Sequence, residues 1–238
     1  MTANALRRRI DADVTVIDKS RTHSYQPAYY LIPFDYMDLE DQRRDTRELL
    51  HDEVSFVHDE IVGIDPDDRT VAGESGTYEY DILISAVGND RRPEAVPGML
   101  EGWNRTDSVY PFYHESAARA LGDAVDEFDG GRFLVTVPDT PIKCGGAPLK
   151  LTMLMEEYLR ERGLRDDAEL VMTKPGSAVF GTGPKAPYQE RIAEIWDDRD
   201  ITFVPEFTVA EVDYENRTVR SEEGDALEYD LYAPVPPQ

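Results

Sequence analysis

Between residues 115 and 204 the chain alternates helical and β periodicity. Glu115 to Phe128 carries Ala118, Leu121, Val125 and Phe128 at helical spacing, and Gly130-Gly131 stops it before the β-run Phe133 to Val137. A turn-rich loop from Pro138 to Pro148 leads into an amphipathic helix, Leu149 to Arg162, closed by Gly163. Ala168 to Met172 then reads as a strand, Tyr188 to Asp197 as a helix and Ile201 to Val204 as a strand. Parallel strands need crossover connections, and helices with one apolar stripe supply them. The alternation therefore predicts an α/β fold with a parallel, doubly wound sheet.

The first hundred residues show part of the same pattern. Ala3 to Ile10 carries Ala5, Leu6 and Ile10 at helical spacing, and Val14 to Ile17 is a β-branched run closing on Asp18, together half of a β-α-β unit. Arg21 to Phe34, rich in Tyr and Pro, reads as a loop, Asp45 to Leu50 as a short helix and Val54 to Val57 as a strand. Ile61 to Asp65 and Thr70-Val71 flank the turn Pro66-Asp67-Asp68 as in a hairpin. Tyr78 to Gly88 passes from alternation to an unbroken apolar run, which predicts a strand covered on both faces. Thr208 to Tyr232 echoes that hairpin and return strand. The expectation is two Rossmann-like, three-layer domains over 1–106 and 107–226, the first incomplete, with 227–238 returning toward the first.

Charge narrows the setting. Acidic residues number 49 and basic residues 25, a net charge of -24, and only five of the basic residues are lysine. At ~1 M salt the Debye length falls to about 3 Å, so the self-repulsion of such a surface is screened. We read this as the surface of a protein from a salt-loving organism. A polyanion without a basic patch repels phosphate backbones, so no nucleic acid partner is expected. No run reaches the roughly 20 apolar residues of a membrane span, and a single cysteine fits a reducing cytoplasm.

Two positions carry a first hint of chemistry. In dinucleotide-binding folds an acidic residue ending the second strand binds ribose hydroxyls, about 20 residues after a Gly-rich turn. Asp18 fits that place, and the count back falls before residue 1, so the chain is expected to start inside the unit. Gly88, ending the run Ala86-Val87-Gly88, suits a backbone passing close to a bound nucleotide. The alternative for Asp18 is a solvated strand end.

Cys144 is the stronger signal. It lies in a loop between a buried strand and a helix whose first turn begins near Ala147, with Pro148 well placed there. A helix N-terminus favours anions, and Lys143 and Lys150 flank the thiol; both effects favour the nucleophilic thiolate. Lys150, a cation in a first helical turn, opposes the helix dipole and so answers to something besides helix stability. The alternative is a small buried cysteine with two solvated lysines. His23, His51, His58 and His114 show no metal-ligand spacing. Tyr25, Tyr29, Tyr30 and Phe34 either cover a flat ring or pack on the core.

The loop Thr140-Pro-Ile-Lys-Cys-Gly-Gly-Ala-Pro-Leu-Lys150 resembles that of the sulfide:quinone oxidoreductases, in the branch related to the mitochondrial enzyme. Tyr25-Gln-Pro27, Pro97-Gly-Met-Leu-Glu-Gly-Trp103 and Pro234-Val-Pro-Pro-Gln238 extend the match in order. The resemblance implies an FAD-dependent enzyme that oxidises sulfide, holds sulfur on redox cysteines and passes electrons to a membrane quinone. It assigns Asp18, Gln26, Pro27, Gly88 and Lys150 to FAD, and Cys144, Glu101 and Lys150 to the sulfur chemistry. The domain at 1–106 would bind FAD without its first strand and Gly-rich loop, and that at 107–226 would carry the redox cysteine. Because the family's second cysteine and membrane-docking helices would follow residue 238, this chain alone is expected to be inactive or impaired, with peripheral membrane contact only in a longer protein. The location implied is the cytoplasm or the cytoplasmic face of the membrane, and homo-oligomerisation stays open.

Two other readings remain. A type II NADH dehydrogenase or a flavocytochrome c sulfide dehydrogenase would share the superfamily, although the first predicts a Gly-rich phosphate loop where Pro-Ile-Lys-Cys-Gly-Gly-Ala-Pro stands. A non-catalytic sulfur- or redox-binding protein would keep the fold and one thiol. The charge reading has its own test: folding stability, followed as a urea midpoint, is expected to rise between ~0.1 and ~2 M salt, and a flat response removes the salt adaptation.

Overall fold

The computed structural model describes residues 2–180 and 188–238. Its chain divides into two compact units, Met1–Tyr25 with Glu40–Gly88, and Gln26–Leu39 with Asn89–Gln238.

The first unit is built on a parallel pair. Val14–Asp18 lies beside Val54–His58, with Val14 opposite Val54 and Asp18 opposite His58. Ile61–Asp65, Thr70–Gly73 and Thr77–Glu79 form the antiparallel meander anticipated from the turn residues. Asp65 builds that turn, its Oδ1 accepting from the amides of Asp67 and Asp68 at 3.0 Å each. Asp59 closes the next one, accepting from the Ser75 amide at 3.1 Å and the Tyr78 hydroxyl at 2.6 Å, and these bonds hold its carboxyl below the usual range.

Two expectations for this region need correction. Arg21 to Phe34 is more than a loop: Thr22–Ser24 pairs with Arg43–Asp45, and Gln26–Tyr30 and Ile32–Phe34 are 3-10 turns. The apolar run at 82–87 forms no strand, and Ile82 and Val87 are 84% and 86% exposed. Apolar content makes a segment suited to a covered sheet, but a strand exists only where its amides and carbonyls find a ladder. Among the described residues this run finds none.

The second unit shows the expected alternation in full. Its parallel sheet runs in the order Ile201–Val204, Ala168–Thr173, Gly131–Thr136, Leu231–Tyr232. Successive side chains of a strand point to opposite faces, and both faces here are covered. Phe133, Val135, Leu170 and Met172 join the core with Leu121 and Val125 of the helix Glu115–Glu127, Leu151, Met155 and Leu159 of the helix Ala147–Arg162, and Trp196 of the helix Gln189–Asp198. Leu134, Val171 and Tyr232 join a second cluster with Met99, Val212 and Val219. That face is roofed by the helix Met99–Arg105 and a small antiparallel sheet, Val209–Asp213, Thr218–Ser221 and Ala226–Glu228. The result is three layers, and it explains why these strands read as unbroken apolar runs. Tyr232 brings a hydroxyl into this core and satisfies it on Thr136 Oγ1 at 2.7 Å.

One carboxylate lies fully inside the helical layer. Glu156 is 0% exposed and accepts from Arg160, one turn along its own helix, and from Arg199 Nη1 at 2.6 Å. The arginines reach solvent and the carboxylate does not, so removing the cations strands a buried charge. Replacing both by methionine is expected to cost about 3–5 kcal/mol, and adding Glu156→Gln to recover much of it. Urea unfolding of the double and triple variants measures this; equal midpoints would show that the cluster is only a solvated pair.

Candidate functional site

The strand Gly131–Thr136 delivers the chain to the loop bearing Cys144, and the helix Ala147–Arg162 carries it away. No side chain caps that helix, and Pro148 stands at its start. Instead the Ala147 amide donates to the Cys144 carbonyl at 3.1 Å, so the cysteine's own backbone forms the entry turn. The Tyr113 hydroxyl donates to the same carbonyl at 2.5 Å. Cys144 is half-buried, a free thiol packed beside the larger core cluster.

The flanking cations are seated on neutral groups. Lys143 Nζ donates to Gln26 Oε1 at 2.5 Å and lies 5.7 Å from the centre of the Tyr113 ring. The Lys143 amide donates to Gln238 Oε1 at 3.0 Å, and Asn89 Nδ2 donates to the same oxygen at 2.7 Å. Lys150 Nζ is 5.0 Å from the centre of the Tyr30 ring and makes a long hydrogen bond, 3.4 Å, to its hydroxyl. Arg91 Nη1 donates to the Tyr113 carbonyl at 3.3 Å, while its Nε is buried without a partner.

This crowding has electrostatic consequences. Partial desolvation, helped by the nearby Arg91 charge, pushes the Lys143 ammonium down to about 8. Burial, and then the charge of Cys144, pushes the Tyr113 phenol far up, so it stays a neutral donor. His114, next to Tyr113, has its ring 4.9 Å from that of Trp103 and its Nε2 buried without a partner. Burial first, then Arg91 and Lys143, push its imidazole down to about 4.

The site residues anticipated from sequence fall into three groups. Gln26, Cys144 and Lys150 belong to the second unit, with Gln26 bonded to Lys143 and Lys150 seated on the 3-10 turn Gln26–Tyr30 that also carries an exposed Pro27. Glu101 is exposed on the helix Met99–Arg105, which belongs to the other core cluster. Gly98 fixes that helix against the strand Val209–Asp213, because it adopts φ 81° and a side chain there would sit 1.9 Å from the Val212 carbonyl oxygen. No bond brings Glu101 to the Cys144 loop among the described residues. Asp18 and Gly88 lie in the first unit. Asp18 is exposed and accepts from the Ser20 amide at 2.8 Å, and Gly88 is at φ 75° with no atom within 4 Å of where a side chain would begin. Of the aromatic cluster, Tyr29 and Phe34 pack inside, whereas Tyr30 is half-buried and holds Lys150. Tyr113, Arg91 and Gln238 were not legible as site residues, because nothing in their local sequence marks bonds made across long stretches of chain.

No family profile matches the chain. It is similar to the mitochondrial sulfide:quinone oxidoreductase of Mus musculus, 29% identical over 206 residues that make up 84% of this chain and 44% of the mouse protein. The counterpart from Dictyostelium discoideum is 24% identical over 229 residues, 94% of this chain and 50% of the other. Among solved structures, the sulfide:quinone oxidoreductase of Aquifex aeolicus superposes with a TM-score of 0.81 at 18% identity, over 99% of this chain and 55% of that one. The chain thus shares the Rossmann-like fold of the Aquifex structure and is similar in sequence to sulfide:quinone oxidoreductases. It spans about half the length of the curated relatives it matches.

The buried imidazole gives a pH dependence with a definite sign. The unfolded chain protonates His114 near 6.5, the folded chain only near 4. As pH falls through that window the unfolded state binds the proton first, so stability is lost toward acid. His114→Gln is expected to flatten this part of the decline in urea midpoints; an unchanged slope would mean that the imidazole titrates normally.

Proposed function

We propose that this chain takes part in the FAD-dependent oxidation of sulfide, with electrons passed to a quinone and Cys144 as the sulfur-bearing thiol. The observation that carries the reading is the Cys144 loop, a thiol at a helix entry flanked by two lysines that are held by uncharged partners. Its setting suits a nucleophilic sulfur, and its sequence and fold agree with the relatives.

The first unit offers features that fit FAD. Gly88 is at positive φ with open space around it, so no protein neighbour demands a glycine there. Asp18 offers an exposed carboxylate, with one oxygen engaged by the Ser20 amide and the other available for a ribose hydroxyl. Gln26, Pro27 and Lys150 are the further residues we assign to the cofactor. Bound FAD would supply a two-electron acceptor.

At the thiol the balance is simple. The Cys144 thiolate and a hydrosulfide ion join through a new S–S bond, leaving a cysteine persulfide, one proton and two electrons. Bound FAD would accept the two electrons, and a quinone taking up two protons would be their final acceptor. Tyr113 holds the carbonyl of the reacting cysteine and Lys150 offers positive charge near the first turn of the helix; Glu101, on a helix of the other core cluster, is assigned to the sulfur chemistry by the resemblance alone. No described helix is long and apolar enough to cross a membrane; peripheral contact at the cytoplasmic face is assigned only to a longer protein that contains this chain.

Pro-Asp-Thr-Pro-Ile-Lys-Cys after the central strand, where an NADH-binding relative would need a Gly-rich phosphate turn, disfavours the nicotinamide reading. Anaerobic titration decides between enzyme and binding module. A longer protein that contains this chain, loaded with FAD, is expected to show a flavin spectrum that sulfide bleaches, and Cys144→Ser to slow the bleaching at least ~100-fold. Folded protein that stays colourless, or a Cys144→Ser variant bleached at the native rate, would overturn the proposal.

A further inference from the structure

Arg91, Lys143 and Lys150 form no ion pair among the described residues; their partners are a carbonyl, an amide oxygen and two phenol rings. In a chain with 49 acidic residues this is unusual company for a cation. Residues 140–155 and 170–180 contain neither Asp nor Glu, yet hold three of the five lysines. The two stretches meet where a Phe180 ring carbon lies 3.6 Å from the place a Gly146 side chain would begin. Carbonyls, amides and ring faces orient an ammonium or guanidinium without neutralising it. Around Cys144 three cations are thus left without an acidic partner among the described residues, with Asp139 the one acid in the loop, on a molecule whose net charge is -24.

We propose that Tyr113 and Lys143 are positioning residues for Cys144: the Tyr113 hydroxyl clamps the cysteine carbonyl, and Lys143, seated on the same ring and on Gln26, keeps an uncompensated charge beside the thiol that admits anionic partners preferentially. Tyr113 is the hinge of the arrangement. Its hydroxyl reaches Cys144, its ring faces Lys143, and its carbonyl takes Arg91. The inference deepens the sulfide reading, since hydrosulfide is an anion, and it rests on Cys144 being the reactive thiol.

The test is alkylation of the single cysteine by neutral iodoacetamide and anionic iodoacetate. Both attack the same thiolate, so its population cancels in the ratio of the two rate constants and the ratio reads the local field. For the native chain at low salt, the iodoacetate-to-iodoacetamide ratio is expected to exceed that of 2-mercaptoethanol, and to fall toward it at ~1 M salt. Lys143→Met should lower the ratio roughly threefold, the size of a screened single charge, while Lys143→Arg retains it. Tyr113→Phe keeps the ring and removes the clamp, so both rate constants should change by a common factor of about three or more while the ratio holds. A native ratio below that of 2-mercaptoethanol or rising with salt, a Lys143→Met ratio equal to the native one, or unchanged rates in Tyr113→Phe would each overturn the proposal. The salt dependence needs only the native chain, so a variant that fails to fold does not remove the test. Because alkylation needs neither flavin nor sulfide, its failure is distinct from a failure of sulfide to bleach the flavin.

Discussion

The constraint on which the second unit depends is that the strand Gly131–Thr136 is buried from both sides. Phe133 and Val135 point into the helical layer, Leu134 into the roofed one. Its ladders run to Ala168–Thr173 on one edge and Leu231–Tyr232 on the other. With no exposed face and no free edge, the strand has little freedom to move, and the loop leaving its carboxyl end inherits that rigidity. Open α/β sheets place ligands at such ends, because the helices that follow present their amino termini there. Cys144 occupies this position, and Tyr113 adds a second tether to it.

The sequence made this unit readable because its two periodicities, helical and apolar-continuous, are both consequences of burial. Glu115–Glu127 and Ala147–Arg162 carry an apolar stripe because one side faces the sheet, and the strands are apolar throughout because they have no outside. The same logic misleads at 82–87, where composition promises a covered strand and the described backbone has no ladder. Composition records what a segment can bury, whereas strand formation needs a neighbour in register. The site divides along a similar line. Cys144, Lys150 and Gln26 sit in recognisable local strings, and Gln238 closes another, but the bonds by which Tyr113, Arg91 and Gln238 enter the site span 31, 22 and 95 residues and have no local pattern.

Net charge and local charge have separate meanings in this molecule. The carboxylates are concentrated on exposed positions and pair with arginine at the surface, as in Arg191–Glu194 and Arg220–Glu211. Such exposed pairs contribute at most about 1 kcal/mol each, so they speak to solubility more than to fold. Around Cys144 the pattern reverses, with lysine on aromatic rings and amides and Asp139 the one acid in the loop. Cations can stay unpaired on so acidic a protein only where carboxylates are kept sparse around them.

The uncovered run at 82–87 sets an upper bound on the solvent in which the isolated chain can be handled. Screening salt quiets repulsion among carboxylates, and the same repulsion is what holds molecules apart in solution. Ile82, Ile84 and Val87 are each more than half exposed. Salt also raises the cost of leaving such carbon in contact with water. Where added salt firms the fold, as the charge leads us to expect, the same salt lowers the barrier to self-association through this segment, so colloidal and folding stability are expected to peak at different ionic strengths.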